Sequence, residues 1–164
     1  MLRTNEMLDR TGSFPKENLP NLPELCVFWQ KVLRLQDWDI KITVARYHEL
    51  EDGNLFGQSS WIISKKYATI KILDYRDYHL GHWWDRDQEG TLVHELLHLH
   101  LAPLKATSNW RDGSLEMYAL ENIIETIANA LLFLKRAGKL DELELSSFWP
   151  PVEVAANVSG QNLR

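Results

Sequence analysis

The chain has a single cysteine, Cys26, so it cannot form an internal disulfide. The apolar neighbours of Cys26 favour a buried structural thiol over a nucleophile. A sequence without disulfides is typical of a reducing compartment, and we expect a cytoplasmic protein. Basic residues are also few, 18 against 23 acidic ones, and the formal net charge is -5. This excess of acid argues against a nucleic-acid partner.

Long hydrophobic runs are also missing. The first twenty residues contain charged positions such as Arg3, Glu6 and Asp9 and lack an apolar run, so we expect no signal peptide there. No stretch approaches the length of a membrane span, so we expect a soluble protein without a membrane partner. The 164 residues predict one domain at 21–140, preceded by an arm at 1–20 and followed by an irregular tail at 141–164. The oligomeric state is left open.

Periodicity in the first half of the chain predicts one helix followed by three strands. Apolar residues recur at helical spacing from Glu24 to Leu35. Apolar and polar residues then alternate in Trp38–Tyr47 and in Tyr67–Leu73, as in half-buried strands. The segment Phe56–Ser64, with Trp61, Ile62 and Ile63, is predicted to be a strand between them. We expect Tyr67–Leu73 to be an edge strand beside the next helix, where an extended peptide substrate can pair with it.

Two further helices are predicted in the second half. The first begins after a cap at Asp87 and ends near Ala102–Pro103. The second is capped by Ser114, runs to about Ala137 and is closed by Gly138. The predicted fold class is therefore α+β, with an N-terminal helix, a three-stranded mostly antiparallel sheet and two following helices.

The first of these two helices contains an H-E-x-x-H motif formed by His94, Glu95 and His98. Residues four apart lie on one face of a helix, so both imidazoles can bind the same ion while Glu95 reaches a water beside it. The surrounding residues are apolar and predict a buried helix, in which unpaired polar groups would be costly. We therefore interpret the motif as part of a zinc site rather than as a solvated stripe.

A catalytic zinc site needs a third protein ligand. The candidates are three glutamates of the second helix: Glu116, Glu121 and Glu125. Glu121 and Glu125 lie side by side at one margin of the apolar face, so one can bind zinc while the other accepts a histidine ring N–H. Glu116 lies near the helix start, where a carboxylate that complements the helix dipole is expected.

The metzincin pattern is excluded, because it requires glycine and histidine where this chain has Leu101 and Leu104. His100 is a poor ligand, since it lies two positions after His98 on another side of the helix. We expect it to be a hydrogen-bonded, partly buried histidine. A deformylase-type site would need a thiol ligand, and Cys26 lies in the first predicted helix.

On these motifs the chain resembles the gluzincin metallopeptidases, and more closely the small metallopeptidase-like proteins encoded by phages and prophages. The resemblance covers most of residues 27–137. It is carried by four segments: Trp38–Ile42, Ala68–Asp74, Thr91–His98 and Ala119–Glu125. It implies a minimal zincin-like domain that hydrolyses a protein or peptide substrate with Zn²⁺, in the host cytoplasm if the chain is phage-encoded.

The resemblance also implies roles for individual residues. His94 and His98 would be metal ligands, Glu95 the general base, Glu121 the third ligand and Glu125 the acid behind it. Peptidases of the ImmA/IrrE type instead carry the ligand glutamate in an E-x-x-A-N pattern, which Glu125 opens here, so Glu125 is the alternative ligand. SprT-like proteases share the strand-then-helix plan but use a third histidine, and none follows His100.

A second function stays open at this point: a zinc-containing, non-catalytic binding module of phage origin that acts on a host or phage protein. A fourth protein ligand or a closed metal site would favour that module, and an open site beside a groove would favour the enzyme. The residue that stabilises the oxyanion is not selected by the sequence. Five side chains are possible: Tyr75, Tyr78, His79, His82 and Tyr118.

Overall fold

The computed structural model describes residues 19–51, 56–78, 87–108, 110–111 and 113–142. The predicted arm and tail lie outside these ranges except at their inner ends, and His79 and His82 lie outside them as well. The described helices and strands are, in chain order, α1 (Leu22–Val32), β1 (Asp39–Ala45), β2 (Gly57–Ile62), β3 (Tyr67–Leu73), α2 (Gln88–Thr107), α3 (Leu115–Arg136) and α4 (Lys139–Glu142). The predicted α+β class is confirmed, with its N-terminal helix, small sheet and long C-terminal helix.

The three strands form one mixed sheet in the order β1-β3-β2. β3 pairs with β1 in parallel and with β2 antiparallel, so the sheet is mixed and not mostly antiparallel as expected. The prediction that Tyr67–Leu73 is an edge strand is therefore wrong. The chain reverses between β1 and β2 and again before β3, and β3 then inserts between the other two. Among the described residues, the edge strand that contacts α2 is β2.

One face of the sheet packs against the helices and the other faces solvent. β3 places Ala68, Ile70 and Ile72 in the core with no exposed surface, whereas Thr69 and Lys71 point to the opposite face. Burial of each large apolar side chain contributes about 1.5–3 kcal/mol. The alternation read from the sequence therefore orients the central strand correctly, although it does not reveal the neighbours of that strand.

Helix α2 is fixed at its start by two side chains. Asp87 caps the helix by accepting from the backbone N–H of Gly90 (3.0 Å), as predicted. The buried amide of Gln88 donates to the Leu73 carbonyl (2.8 Å), and so ties the helix start to the end of β3. The predicted helix end is wrong, because α2 continues through Pro103 to Thr107. A proline removes one N–H bond and need not end a helix whose other contacts hold it.

Helix α3 begins and ends as predicted. The Ser114 side chain accepts from the backbone N–H of Met117, and Gly138 adopts a positive φ of 70° after the helix. The four residues of α3 that are buried recur every four positions: Leu120, Ile124, Ala128 and Leu132. This spacing lays one stripe of the helix along the core.

By length and composition alone, α3 would be able to cross a membrane. The expectation that no stretch approaches such a length is therefore wrong. A single helix of this kind is weak evidence for insertion, since core helices of soluble proteins have the same length and composition. The structure is compatible with a soluble protein.

Candidate metal centre

The centre lies where α2 and α3 pack side by side. Four of its residues pair in reverse order along the two helices, with His94 beside Glu125 and His98 beside Glu121, so the helices run antiparallel. Residues four apart on each helix face the other helix together. The two histidines of the motif therefore meet the two glutamates that the sequence places at one margin of α3.

Three ligand atoms converge at this point. The Nε2 atoms of His94 and His98 are 3.2 Å apart, and the Glu121 Oε2 atom lies 3.2 Å from the first and 3.5 Å from the second. Each atom carries a lone pair that can bind a cation. This cluster could hold a metal ion. Among the described residues, no further histidine, cysteine or carboxylate joins it.

Glu125 contacts the other nitrogen of the same ring. Its Oε2 atom lies 3.2 Å from His94 Nδ1, and its Oε1 atom accepts from Asn129 Nδ2 at 2.8 Å. A carboxylate at Nδ1 favours the tautomer with the proton on that nitrogen, which leaves the Nε2 lone pair for a ligand bond. The glutamate named by the E-x-x-A-N pattern therefore lies behind the histidine, and Asn129 holds it there.

The charges of the cluster shift two pKa values. Hydrogen bonds with His94 and His98 hold the pKa of Glu121 far below its usual range, against the opposing effect of burial. For His94, burial alone would lower the pKa, but hydrogen bonds with Glu121 and Glu125 and the negative charge of nearby Glu95 raise it above the ordinary value. The two carboxylates thus favour positive charge at this point, which a proton on His94 or a bound metal ion can supply.

Glu95 is the residue after His94, and its side chain lies against β2. Its side chain is only 7% exposed, and its Oε2 atom accepts from the Ser59 hydroxyl at 2.6 Å. Gly57, two residues earlier on the same strand, packs so closely that an added Cβ would lie 2.5 Å from Thr91 Cγ2 and 2.9 Å from Glu95 Oε1. The carboxylate is therefore enclosed between α2 and the edge strand.

The centre is open to solvent on the α3 side. The exposed fractions of the Glu121, His94 and His98 side chains are 42%, 23% and 11%. Tyr118 lies one turn before Glu121 on α3 and is itself exposed. Because residues three and four apart share one side of a helix, Tyr118 lies on the side of α3 that carries Glu121 and Glu125.

The other predicted residues lie elsewhere. His100 is exposed and its ring contacts the Leu33 carbonyl (2.7 Å), a partner outside the centre. Glu116 lies at the start of α3, where backbone and Ser114 hydrogen bonds lower its pKa. Tyr75 and Tyr78 pack in a small second core beside β3. Burial raises the pKa of the Cys26 thiol to about 11, which fits the predicted structural role.

No sequence signal indicates Ser59 or Gly57, because their position beside Glu95 depends on which strand packs against α2. Asn129 had a partial signal in the E-x-x-A-N pattern, but the pattern did not indicate what it binds.

Comparison of the chain with protein-family models, with curated proteins and with solved structures finds no match in any of the three. The functional argument therefore depends on the geometry of the centre.

Proposed function

We propose that this protein is a zinc-dependent metallopeptidase that cleaves a protein or peptide substrate. The observation that carries the proposal is the triangle formed by His94 Nε2, His98 Nε2 and Glu121 Oε2, with the buried carboxylate of Glu95 on the residue that follows His94. The ligand set is two imidazoles and one carboxylate, and no fourth protein ligand joins it among the described residues. Three protein ligands are typical of a catalytic zinc site, whereas a structural zinc site has four.

The size of the triangle supports zinc. Ligands at the corners of a tetrahedron are separated by about 1.6 times the metal–ligand distance, so bonds of about 2.0–2.1 Å require separations of about 3.3 Å. The three observed separations are 3.2, 3.2 and 3.5 Å. Larger oxygen-seeking cations such as Ca²⁺ require six or more oxygen ligands, and this cluster has two nitrogens. Imidazole nitrogens suit zinc.

Each residue then has a part in the reaction. Bound zinc supplies Lewis acidity, which lowers the pKa of water and polarises a carbonyl group. The Glu95 carboxylate accepts the proton of the attacking water and returns it to the leaving amine. Glu125 keeps the proton of His94 on Nδ1 and so fixes the ring in its binding orientation. Among the described candidates for stabilising an oxyanion, Tyr118 is the tyrosine that shares a side of α3 with Glu121 and Glu125.

The test uses one conservative substitution and two measurements. Glu95→Gln keeps the size of the side chain but removes its ability to accept a proton. Wild-type protein and Glu95→Gln are analysed for zinc by mass spectrometry, and both are incubated with a peptide library derived from a bacterial proteome. We expect one zinc per chain in both, cleavage by the wild type, and at least about 100-fold slower cleavage by the variant.

Two results would contradict the proposal. Equal cleavage rates for the two proteins would exclude Glu95 as the base. Stoichiometric zinc without cleavage by the wild type would favour the alternative, a non-catalytic zinc module that binds a host or phage protein. The two outcomes are distinct because zinc content and hydrolysis are measured on the same samples.

A further inference from the structure

The edge strand β2 lies so close to α2 at Gly57 that a Cβ added there would clash with the side chains of Glu95 and Thr91. Gly57 and Ser59 are two positions apart, so both face α2 from the same side of the strand. We propose that these two residues position the Glu95 carboxylate, so that the edge strand of the sheet sets the location of the general base. This inference depends on the proposed peptidase function.

The first element of the argument is a hydrogen bond. The Ser59 hydroxyl donates to Glu95 Oε2 at 2.6 Å, the short separation expected when the acceptor is a carboxylate. Glu95 is only 7% exposed, and among the described residues the side chain that donates a hydrogen bond to its carboxylate is Ser59. A buried carboxylate requires such a partner, so the bond with Ser59 determines the orientation of its oxygens.

The second element is space. A Cβ at position 57 would meet Glu95 Oε1 at 2.9 Å and Glu95 Cγ at 3.1 Å, and it would meet Thr91 Cγ2 at 2.5 Å. Any residue other than glycine would therefore displace the carboxylate or move the strand away from α2. Gly57 thus defines where the side chain lies, and Ser59 defines how it is turned.

The third element is rigidity. Ser59 pairs with Ile70 and Gly57 with Ile72 in the antiparallel ladder, and both isoleucines are fully buried. A glutamate side chain has three rotatable bonds, and a general base must lie within hydrogen-bond reach of the proton that it takes. Anchoring to a strand fixed in the core removes this freedom before substrate binds. Ser59 is accordingly a positioning residue and does not itself take part in proton transfer.

The experiment compares four proteins on one peptide that the wild type cleaves. Ser59→Ala removes the donor, Ser59→Thr restores a hydroxyl, and Ser60→Ala is the matched control on the exposed face of the same strand. We expect Ser59→Ala to lower kcat about 10- to 100-fold while KM changes by less than about twofold, because a misplaced base slows chemistry and leaves binding intact. Ser59→Thr recovers most of kcat, and Ser60→Ala behaves as wild type.

Two further measurements do not depend on activity. Zinc affinity of Ser59→Ala should stay within about twofold of wild type, since Ser59 contacts no metal ligand. Thermal unfolding in a double-mutant cycle should be non-additive: Ser59→Ala lowers Tm in the wild type and lowers it less when Glu95 is alanine. Gly57→Ala serves as a second probe of position, with the same expected loss of kcat at unchanged zinc affinity.

The outcomes separate the two claims. An active wild type with an unchanged kcat for Ser59→Ala, or additive Tm changes, overturns the positioning role and leaves the peptidase standing. Loss of zinc affinity in Ser59→Ala overturns it as well, since the residue would then support the metal ligands. An inactive wild type overturns the proposed function, and the positioning role with it.

Discussion

Helices α2 and α3 meet at two clusters of charged residues, and the clusters differ in how their charges are balanced. Near the start of α2, Glu89 pairs with Lys135, and Asp87 pairs with Arg136. We call these four residues the ion-pair cluster. Trp29 adds a further donor, because its indole N–H binds Glu89 at 2.9 Å. Every carboxylate here has a cationic partner from the end of α3.

One to two turns further along α2, the same helices bring together two histidines and two glutamates. We call His94, His98, Glu121 and Glu125 the metal cluster. Among the described residues, no lysine or arginine pairs with its carboxylates. Carboxylates packed this closely need positive charge to balance them, and a metal ion or a proton on the histidines would supply it where no lysine or arginine of the described part of the chain does. The comparison indicates that ion pairs hold the two helices together at the ion-pair cluster, whereas the metal cluster could hold a metal ion.

The largest effect in this comparison is expected from removing a ligand. Glu121→Ala deletes one corner of the triangle, and we expect zinc affinity to fall by more than about 100-fold, a loss greater than that of an outer partner. Competition with a chromophoric chelator measures the affinity. Glu116→Ala, an exposed glutamate of the same helix, is the control and should bind zinc as wild type does. A smaller loss for Glu121→Ala than for Glu125→Ala would assign the ligand role to Glu125.

A smaller loss is expected from the carboxylate behind the histidine. Glu125→Gln keeps the side-chain length but removes the charge that faces His94 Nδ1 (3.2 Å). We expect zinc affinity to fall about 10- to 100-fold, the range for partners that orient a ligand. The same competition assay applies. An unchanged affinity would show that the exposed Glu125 side chain does not orient the ring.

The ion-pair cluster should affect stability instead of zinc binding. Lys135→Met keeps an unbranched apolar side chain beside Phe28 and Trp29 but leaves the Glu89 carboxylate without its lysine. Because Glu89 is largely buried, we expect the free energy of unfolding to fall by about 1–3 kcal/mol. Urea denaturation measures this loss. If zinc affinity fell in parallel, the two clusters would not be independent.

The smallest effect is expected at Arg136. Its side chain is 54% exposed where it pairs with Asp87, so solvent screens the interaction. We expect Arg136→Gln to lower the free energy of unfolding by less than about 1 kcal/mol, and we expect high salt to remove the difference. Denaturation at low and high ionic strength checks both points. A loss as large as that of Lys135→Met at high salt would contradict the contrast between the two pairs.

The local parts of this fold could be predicted from the sequence. β3 has the predicted bounds, and α3 differs by a single residue, because alternation and helix caps are short-range signals. The presence of His94 and His98 on one helical face follows from their spacing. Pro103 was misread as the end of α2, since tertiary packing outweighs the loss of one backbone bond.

The long-range parts could not be predicted. The order of the strands depends on how the chain returns to the sheet, so the central position of β3 was missed. The spacing of Glu121 and Glu125 shows that they share a face, but the nitrogen that each meets depends on how far α3 is shifted along α2. Ser59 and Gly57 act across 36 or more positions of sequence, where no periodicity connects them with Glu95.

The most direct test of the metal cluster is X-ray absorption spectroscopy at the zinc edge on the purified 164-residue chain. We predict stoichiometric zinc with nitrogen and oxygen neighbours only, at about 2.0–2.1 Å, and the outer scattering of two imidazole rings. Loss of one imidazole contribution in His98→Ala would assign that ligand. A spectrum with sulfur neighbours, or with oxygen neighbours and no imidazole scattering, would contradict zinc binding by the two histidines and Glu121.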